Sequence, residues 1–207
     1  NAIAYRDYEW YKQKLIPVRN FYGDNVSGYR EQGVYVVIGG AGVVGEIWSE
    51  YVIRKYQARV IWIGRREMVN EIQLKIDRLS EIGQRPCYIA ADAANLKDLQ
   101  SAYEKITKEY RTINGVIHSA INLKDKSLAN MDEEIFYEGL SPKQDVSINM
   151  IQVFKNEPLD FVLFFSSVMS FTKSAGQSNY ASGCTFEDAF AYRLSKELSC
   201  SVKVINW

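Results

Sequence analysis

Three groups of residues along the chain carry binding or reactive chemistry. The first is Gly39-Gly40-Ala41-Gly42-Val43-Val44-Gly45, where Gly40, Gly42 and Gly45 form a G-x-G-x-x-G pattern between an apolar run and a helical-period segment. Glycines in that setting let the backbone close on a pyrophosphate seated at a helix N-terminus. The second is Arg65-Arg66, which follows the next apolar run. A site selective for a free ribose hydroxyl offers an acidic residue there, whereas the planar donor fork of arginine suits a 2′-phosphate and favours NADPH over NADH. The third is the apolar run Phe161–Phe165, which ends in Ser166-Ser167 and is followed, thirteen residues after Ser167, by Tyr180. A strand-end serine and a helix-borne tyrosine can converge on one carbonyl oxygen, one holding it and the other delivering a proton. The spacing favours Ser167 over Ser166.

Two further stretches belong to the same cofactor groove. Asp92-Ala93 follows the third apolar run, and Asp92 could accept from an adenine amine or be an ordinary loop aspartate. His118-Ser119-Ala120 closes the fourth run, where His118 is expected to line the groove through its backbone rather than act as an acid or base.

The elements that must position these residues follow from periodicity. Short β-branched runs at 34–38, 59–63, 86–90, 114–118, 159–165 and 201–205 alternate with helical-period segments near 43–56, 67–82, 95–110, 131–154 and 179–198. Six strands with five crossovers predict an α/β, Rossmann-like, doubly wound parallel sheet of strand order 3-2-1-4-5-6. Residues 1–32 stand outside this scheme: aromatic residues among charges precede a turn-rich stretch from Asn20 to Gly28. They are expected to be a short remnant of a preceding structural subdomain plus a linker, with 33–207 forming the cofactor-binding domain.

Composition narrows the partners. A 207-residue chain with 47% apolar residues can bury one substantial core. Its 25 basic and 25 acidic side chains cancel, so no overall charge draws it to nucleic acid or an anionic membrane. Cys87, Cys184 and Cys200 lack metal spacing and His118 is the single histidine, so neither a disulfide framework nor a metal site is expected. The absence of a long apolar run, and of a signal-peptide pattern at the start, predicts a cytoplasmic protein. With no initiator methionine and an apolar strand at its end, the chain is expected to be a piece of a larger polypeptide, truncated at its C-terminus.

In order and spacing, Gly39 to Gly45, His118-Ser119-Ala120, Ser141-Pro142-Lys143, Phe165-Ser166-Ser167, Gly176-Gln177-Ser178-Asn179-Tyr180 and Ile205-Asn206-Trp207 resemble the ketoreductase domains of modular polyketide synthases. These belong to the short-chain dehydrogenase/reductase superfamily. The resemblance spans residues 33–207, and 176–191 is most similar to synthases whose acyltransferase acts in trans. It implies NADPH-dependent reduction of a ketone, β-keto by family habit, on an acyl carrier protein-bound intermediate, with the other domains of the synthase as neighbours. Tyr180 matches the proton donor, Ser167 the serine that orients the ketone, and Lys143 the lysine that lowers the tyrosine pKa.

Common short-chain reductases place that lysine four residues after the tyrosine. Here the position is Cys184, which also disfavours the sugar-nucleotide epimerases of the superfamily, and Lys143 follows the polyketide variant. Cys184 therefore stands where many family members have asparagine, and a thiol is the poorer hydrogen-bonding group. Leu123-Lys124-Asp125 resembles the Leu-Asp-Asp signature that accompanies a D-configured alcohol. The alternative is a catalytically silent domain that binds the cofactor or supports its module.

Overall fold

The computed structural model describes residues 3–12, 14–17, 28–172 and 174–207. Most of the expected turn-rich stretch, from Asn20 to Ser27, lies outside the described residues. Ahead of it, β1 (Ile3–Arg6) and β2 (Glu9–Lys12) form an antiparallel hairpin that is a sheet of its own.

The main sheet contains β3 (Val34–Ile38), β4 (Arg59–Gly64), β5 (Cys87–Ala90), β6 (Gly115–His118), β7 (Phe161–Ser166) and β8 (Ser201–Asn206). All five pairings are parallel, in the order β5-β4-β3-β6-β7-β8, which is 3-2-1-4-5-6 counted from β3. Every residue of β3 is buried because helices cover both faces of a parallel sheet. Alternate side chains serve different cores. Val34, Val36 and Ile38 join Leu99, Val146, Met150 and Leu194 on one face, while Tyr35 and Val37 join Trp48, Val52 and Ile76 on the other.

The crossover helices are α1 (Val43–Tyr56), α2 (Asn70–Ser80), α3 (Leu96–Glu109), α4 (Glu133–Phe154) and α6 (Ser178–Glu197), with a short α5 (Met169–Thr172) after β7. Side-chain caps fix two of the starts: Asn95 accepts from the Lys97 and Asp98 amides, and Asp132 accepts from the Ile135 amide at 2.8 Å. The helix expected from residue 131 accordingly begins at Glu133, and the one expected over 67–82 is trimmed to 70–80.

Pro142 lies inside α4 and cannot donate to the Glu138 carbonyl one turn earlier. The Asn122 side chain takes that carbonyl at 3.1 Å, so the helix continues and carries Lys143 inward. The helices α4 and α6 pack closely because Gly183 has no side chain: a Cβ there would stand 2.8 Å from the Lys143 Cβ.

Candidate active site

The groove opens where the strand order reverses between β3 and β6, the expected position for a ligand in such a sheet. Its volume is about 810 Å³, and its walls include Gly39, Gly42, Arg65, Asp92, Ala120 and Pro142. Gly39 has a φ of +84°, and a Cβ on it would meet the Ala120 amide nitrogen at 2.6 Å. The Ser119 amide and hydroxyl both donate to the Ile38 carbonyl, locking the ends of β6 and β3 together.

Gly42 is the N-cap of α1 and supplies no side-chain cap, so the first amides of that helix are left for a ligand in the groove. Gly40 and Gly45 back onto each other rather than lining the groove: a Cβ on Gly45 would stand 2.7 Å from the Gly40 Cα. Val43 and Val44 begin the helix, with Val43 exposed.

Around the rest of the groove, Arg65 and Arg66 stand exposed at the end of β4, and Arg66 pairs with Glu71 at 3.1 Å. Asp92 accepts from the Ala94 amide at 3.0 Å, which shapes its loop. Asn149, a residue that sequence reasoning missed, reaches from α4 to donate to the carbonyls of Ala93 and Ala94. Tyr88, also missed, lines the groove between the arginines and Asp92 and donates to the Arg66 carbonyl at 2.6 Å.

Lys143, Ser167, Tyr180 and Cys184 are buried and none lines the groove, although Lys143 follows the groove residue Pro142; Tyr180 stands beside Ser167 and Cys184, and Lys143 acts on Cys184. Tyr180 and Cys184 are four residues apart and share a face of α6. The Tyr180 phenol stands beside the Ser167 hydroxyl and the Cys184 thiol. Burial and the neighbouring thiol push the phenol above its ordinary value and the Ser167 hydroxyl pulls it partly back, the reverse of the lowering by Lys143 that the resemblance implies, because burial outweighs the nearby charges. Ser167 also accepts from the Met169 amide at 3.2 Å, and its carbonyl accepts from Asn206. Ser166 points elsewhere, donating to the Cys184 carbonyl at 3.4 Å.

Two missed residues organise this cluster. Asn179 is fully buried; it accepts from the Tyr180 amide at 2.8 Å and donates to the Lys124 carbonyl at 2.9 Å, tying the loop after β6 to the start of α6. The same loop is held again where Gln177 donates to Asp125 at 2.7 Å.

Glu187 is the other, also fully buried, three residues beyond Cys184. Lys143 donates to the Phe165 carbonyl at 2.5 Å and meets Glu187 Oε2 at 3.0 Å. The imidazole of His118 is buried beneath the groove rather than lining it, with Nε2 3.6 Å from Glu187 Oε1. Burial and the Lys143 charge push that imidazole well below its usual range, so it is neutral.

Comparison with known proteins agrees with this geometry. Polyketide synthase PksN of Bacillus subtilis (strain 168) is 57% identical over the whole chain, which spans 4% of that protein. Polyketide synthase PksM of the same organism is 55% identical over the whole chain, which spans 5% of it. The crystal structure of an N-terminal ketoreductase from the macrolactin assembly line superposes with a TM-score of 0.87 at 30% identity, over 96% of this chain and 40% of that one. A ketoreductase domain from the bacillaene assembly line gives 0.85 at 29% identity, over 99% and 50%. Residues 33–207 match the family described as KR domain, and the chain belongs to that family, the ketoreductase domains of polyketide synthases.

Proposed function

We propose that this chain reduces a ketone, β-keto by family habit, on a polyketide intermediate tethered to an acyl carrier protein, with NADPH as cofactor and a D-configured alcohol as product. The observation that carries the reading is the placing of Tyr180 beside Ser167, in a fold whose glycine-walled groove opens at the switch point of the sheet. The residues present fit a dinucleotide: uncapped amides at the start of α1 for the pyrophosphate, and Arg65 and Arg66 at the mouth for a 2′-phosphate. When bound, NADPH supplies the hydride.

The protein's part is placement and proton supply. Ser167 donates to the ketone oxygen, Tyr180 gives that oxygen its phenolic proton, and the phenol must then be recharged. Because burial keeps the phenol protonated, the acid form is available at neutral pH. Asp125, held by Gln177 three residues before Tyr180, supports the D-configured product through its likeness to the family signature. By the resemblance, the Lys143 ammonium, which acts on the Cys184 thiol beside Tyr180, is the charge that stabilises the phenolate left behind.

One observation favours the second reading, a domain that binds NADPH without reducing: Lys143 is engaged by Glu187 and the Phe165 carbonyl. Incubating the chain with NADPH or NADH and a β-ketoacyl thioester surrogate tests both. Turnover with NADPH supports reduction, and cofactor binding without turnover supports the silent domain. Residues 1–32 serve as the tail of a preceding structural subdomain, and the flanking domains of a cytoplasmic synthase are the remaining partners. Among the described residues no helix is long and apolar enough to cross a membrane.

A further inference from the structure

We propose that Glu187 is a positioning residue for the reduction, holding the Lys143 ammonium in place from beneath Tyr180 and Cys184. The inference rests on the ketoreductase reading. Its basis is geometric. Tyr180, Cys184 and Glu187 succeed one another along one face of α6, and that face packs on α4 where Gly183 lets Lys143 cross.

Glu187 has no exposed surface and the Lys143 side chain is 2% exposed. Neither charge is stable in such a place alone, because removing an ion from water costs several kcal/mol that only a close counter-charge offsets. The two meet at 3.0 Å through Oε2 and 3.4 Å through Oε1. With the Phe165 carbonyl accepting a second N–H, the ammonium is fixed from two directions. An ammonium has three donors, and the Phe165 carbonyl and Glu187 Oε1 take two of them.

The groups that face Glu187 are Lys143 from α4, His118 from β6, and Tyr180, Cys184 and Asp188 from its own helix. Neutral His118 adds bulk without charge. Burial pushes the Glu187 carboxyl up to about 7 even though Lys143 opposes the shift. Above that pH the carboxylate holds Lys143. Below it the carboxyl is neutral, and the ammonium keeps only the Phe165 carbonyl. The site is thereby set to assemble as pH rises through neutrality.

The test compares the complete chain with Glu187→Gln, Glu187→Asp, Lys143→Met and the double variant Lys143→Met/Glu187→Gln, using NADPH and a β-ketoacyl thioester surrogate from pH 5.5 to 9. The parent should gain turnover as pH rises through about 7. Glu187→Gln should lose that limb and stay about tenfold or more below the parent at pH 8, with KM for NADPH unchanged. Glu187→Asp should keep a limb. The double variant should be no slower than Lys143→Met alone, because a residue that acts through Lys143 has nothing left to position.

Thermal melting of the same four variants gives a readout independent of activity. Glu187→Gln and Lys143→Met should each lower Tm, and the double variant should lose less than the two losses added together. An active parent whose limb survives unchanged in Glu187→Gln overturns the proposal. So does additive loss of Tm. A parent that oxidises no NADPH with any ketone overturns the ketoreductase reading instead, and with it the positioning role, even where the melting losses are non-additive.

Discussion

The Tyr180 phenol, in the first turn of α6, stands beside the Ser167 hydroxyl, just past the end of β7. The two make a pair that can grip one oxygen from two sides. Tyr180→Phe keeps the ring packed and removes the only proton it can transfer, so reduction should fall by a factor on the order of 10² to 10⁴ while NADPH still binds. Stopped-flow reduction alongside cofactor fluorescence checks this. Turnover within a few-fold of the parent would assign the proton to another group.

The same pair fixes a pH dependence. A phenol raised by burial holds its proton beyond its ordinary value of about 10, so the acid that reduction requires is lost only as pH climbs past that point. The alkaline limb of kcat/KM should therefore lie above pH ~10 in the parent and be missing in Tyr180→Phe. A limb centred near pH 8 that Tyr180→Phe removes would mean that the phenol is acidified in the free enzyme.

Arg65 and Arg66 stand at the mouth of the groove, but Arg66 is already shared with Glu71 at 3.1 Å. Arg65→Asp with Arg66→Asp should weaken NADPH by about tenfold or more while leaving NADH nearly untouched, since only the former carries a 2′-phosphate for a guanidinium to bind. Arg65→Asp alone should reproduce most of the loss. Titrating both cofactors decides it, and equal losses would show that these arginines do not recognise the phosphate.

Much of this was legible in sequence because the physics that places it is local. The β-branched run at Val34–Ile38 can only be a buried strand, and the glycine pattern after it needs a strand before and a helix behind. Glu187 was not legible for the opposite reason. Between Phe186 and Asp188 it has the look of a solvated helix position, and its burial depends on Lys143, 44 residues away. Its one signal is the spacing of seven from Tyr180, which returns it to the same face. The hairpin at 3–12 escaped notice because its turn residues, Asp7 and Tyr8, have φ of 50° and 66° without the Asn-Gly that usually marks that turn.

Gly183 is where packing leaves no tolerance. A Cβ there meets the Lys143 Cβ at 2.8 Å, and both residues are buried in the contact of α4 with α6. Gly183→Ala should cost about 1–3 kcal/mol through overpacking, despite the better helix propensity of alanine. It should also lower turnover by displacing the lysine. A chemical melt showing unchanged or increased stability would mean that the helices separate freely.

Cys184 is the position where this chain departs from the asparagine common in the family. Its side chain is fully buried, with its thiol beside the Tyr180 phenol, while the Ser166 hydroxyl donates to its carbonyl at 3.4 Å. Burial raises the thiol, with Lys143 pulling it back, so at neutral pH the sulfur carries its proton and is a weak partner. A site already working beside so weak a group loses little with it: Cys184→Ala should cost less than about tenfold in turnover, below the effect of removing a general acid. Cys184→Asn should be tolerated or mildly favourable, because an amide is the better hydrogen-bonding group beside the Tyr180 phenol. Single-turnover reduction by the three proteins, with melting curves to confirm folding, measures the difference. A loss in Cys184→Ala as deep as that of Tyr180→Phe, in a folded protein, would place the thiol in the proton path and require the roles of Tyr180 and Lys143 to be reassigned.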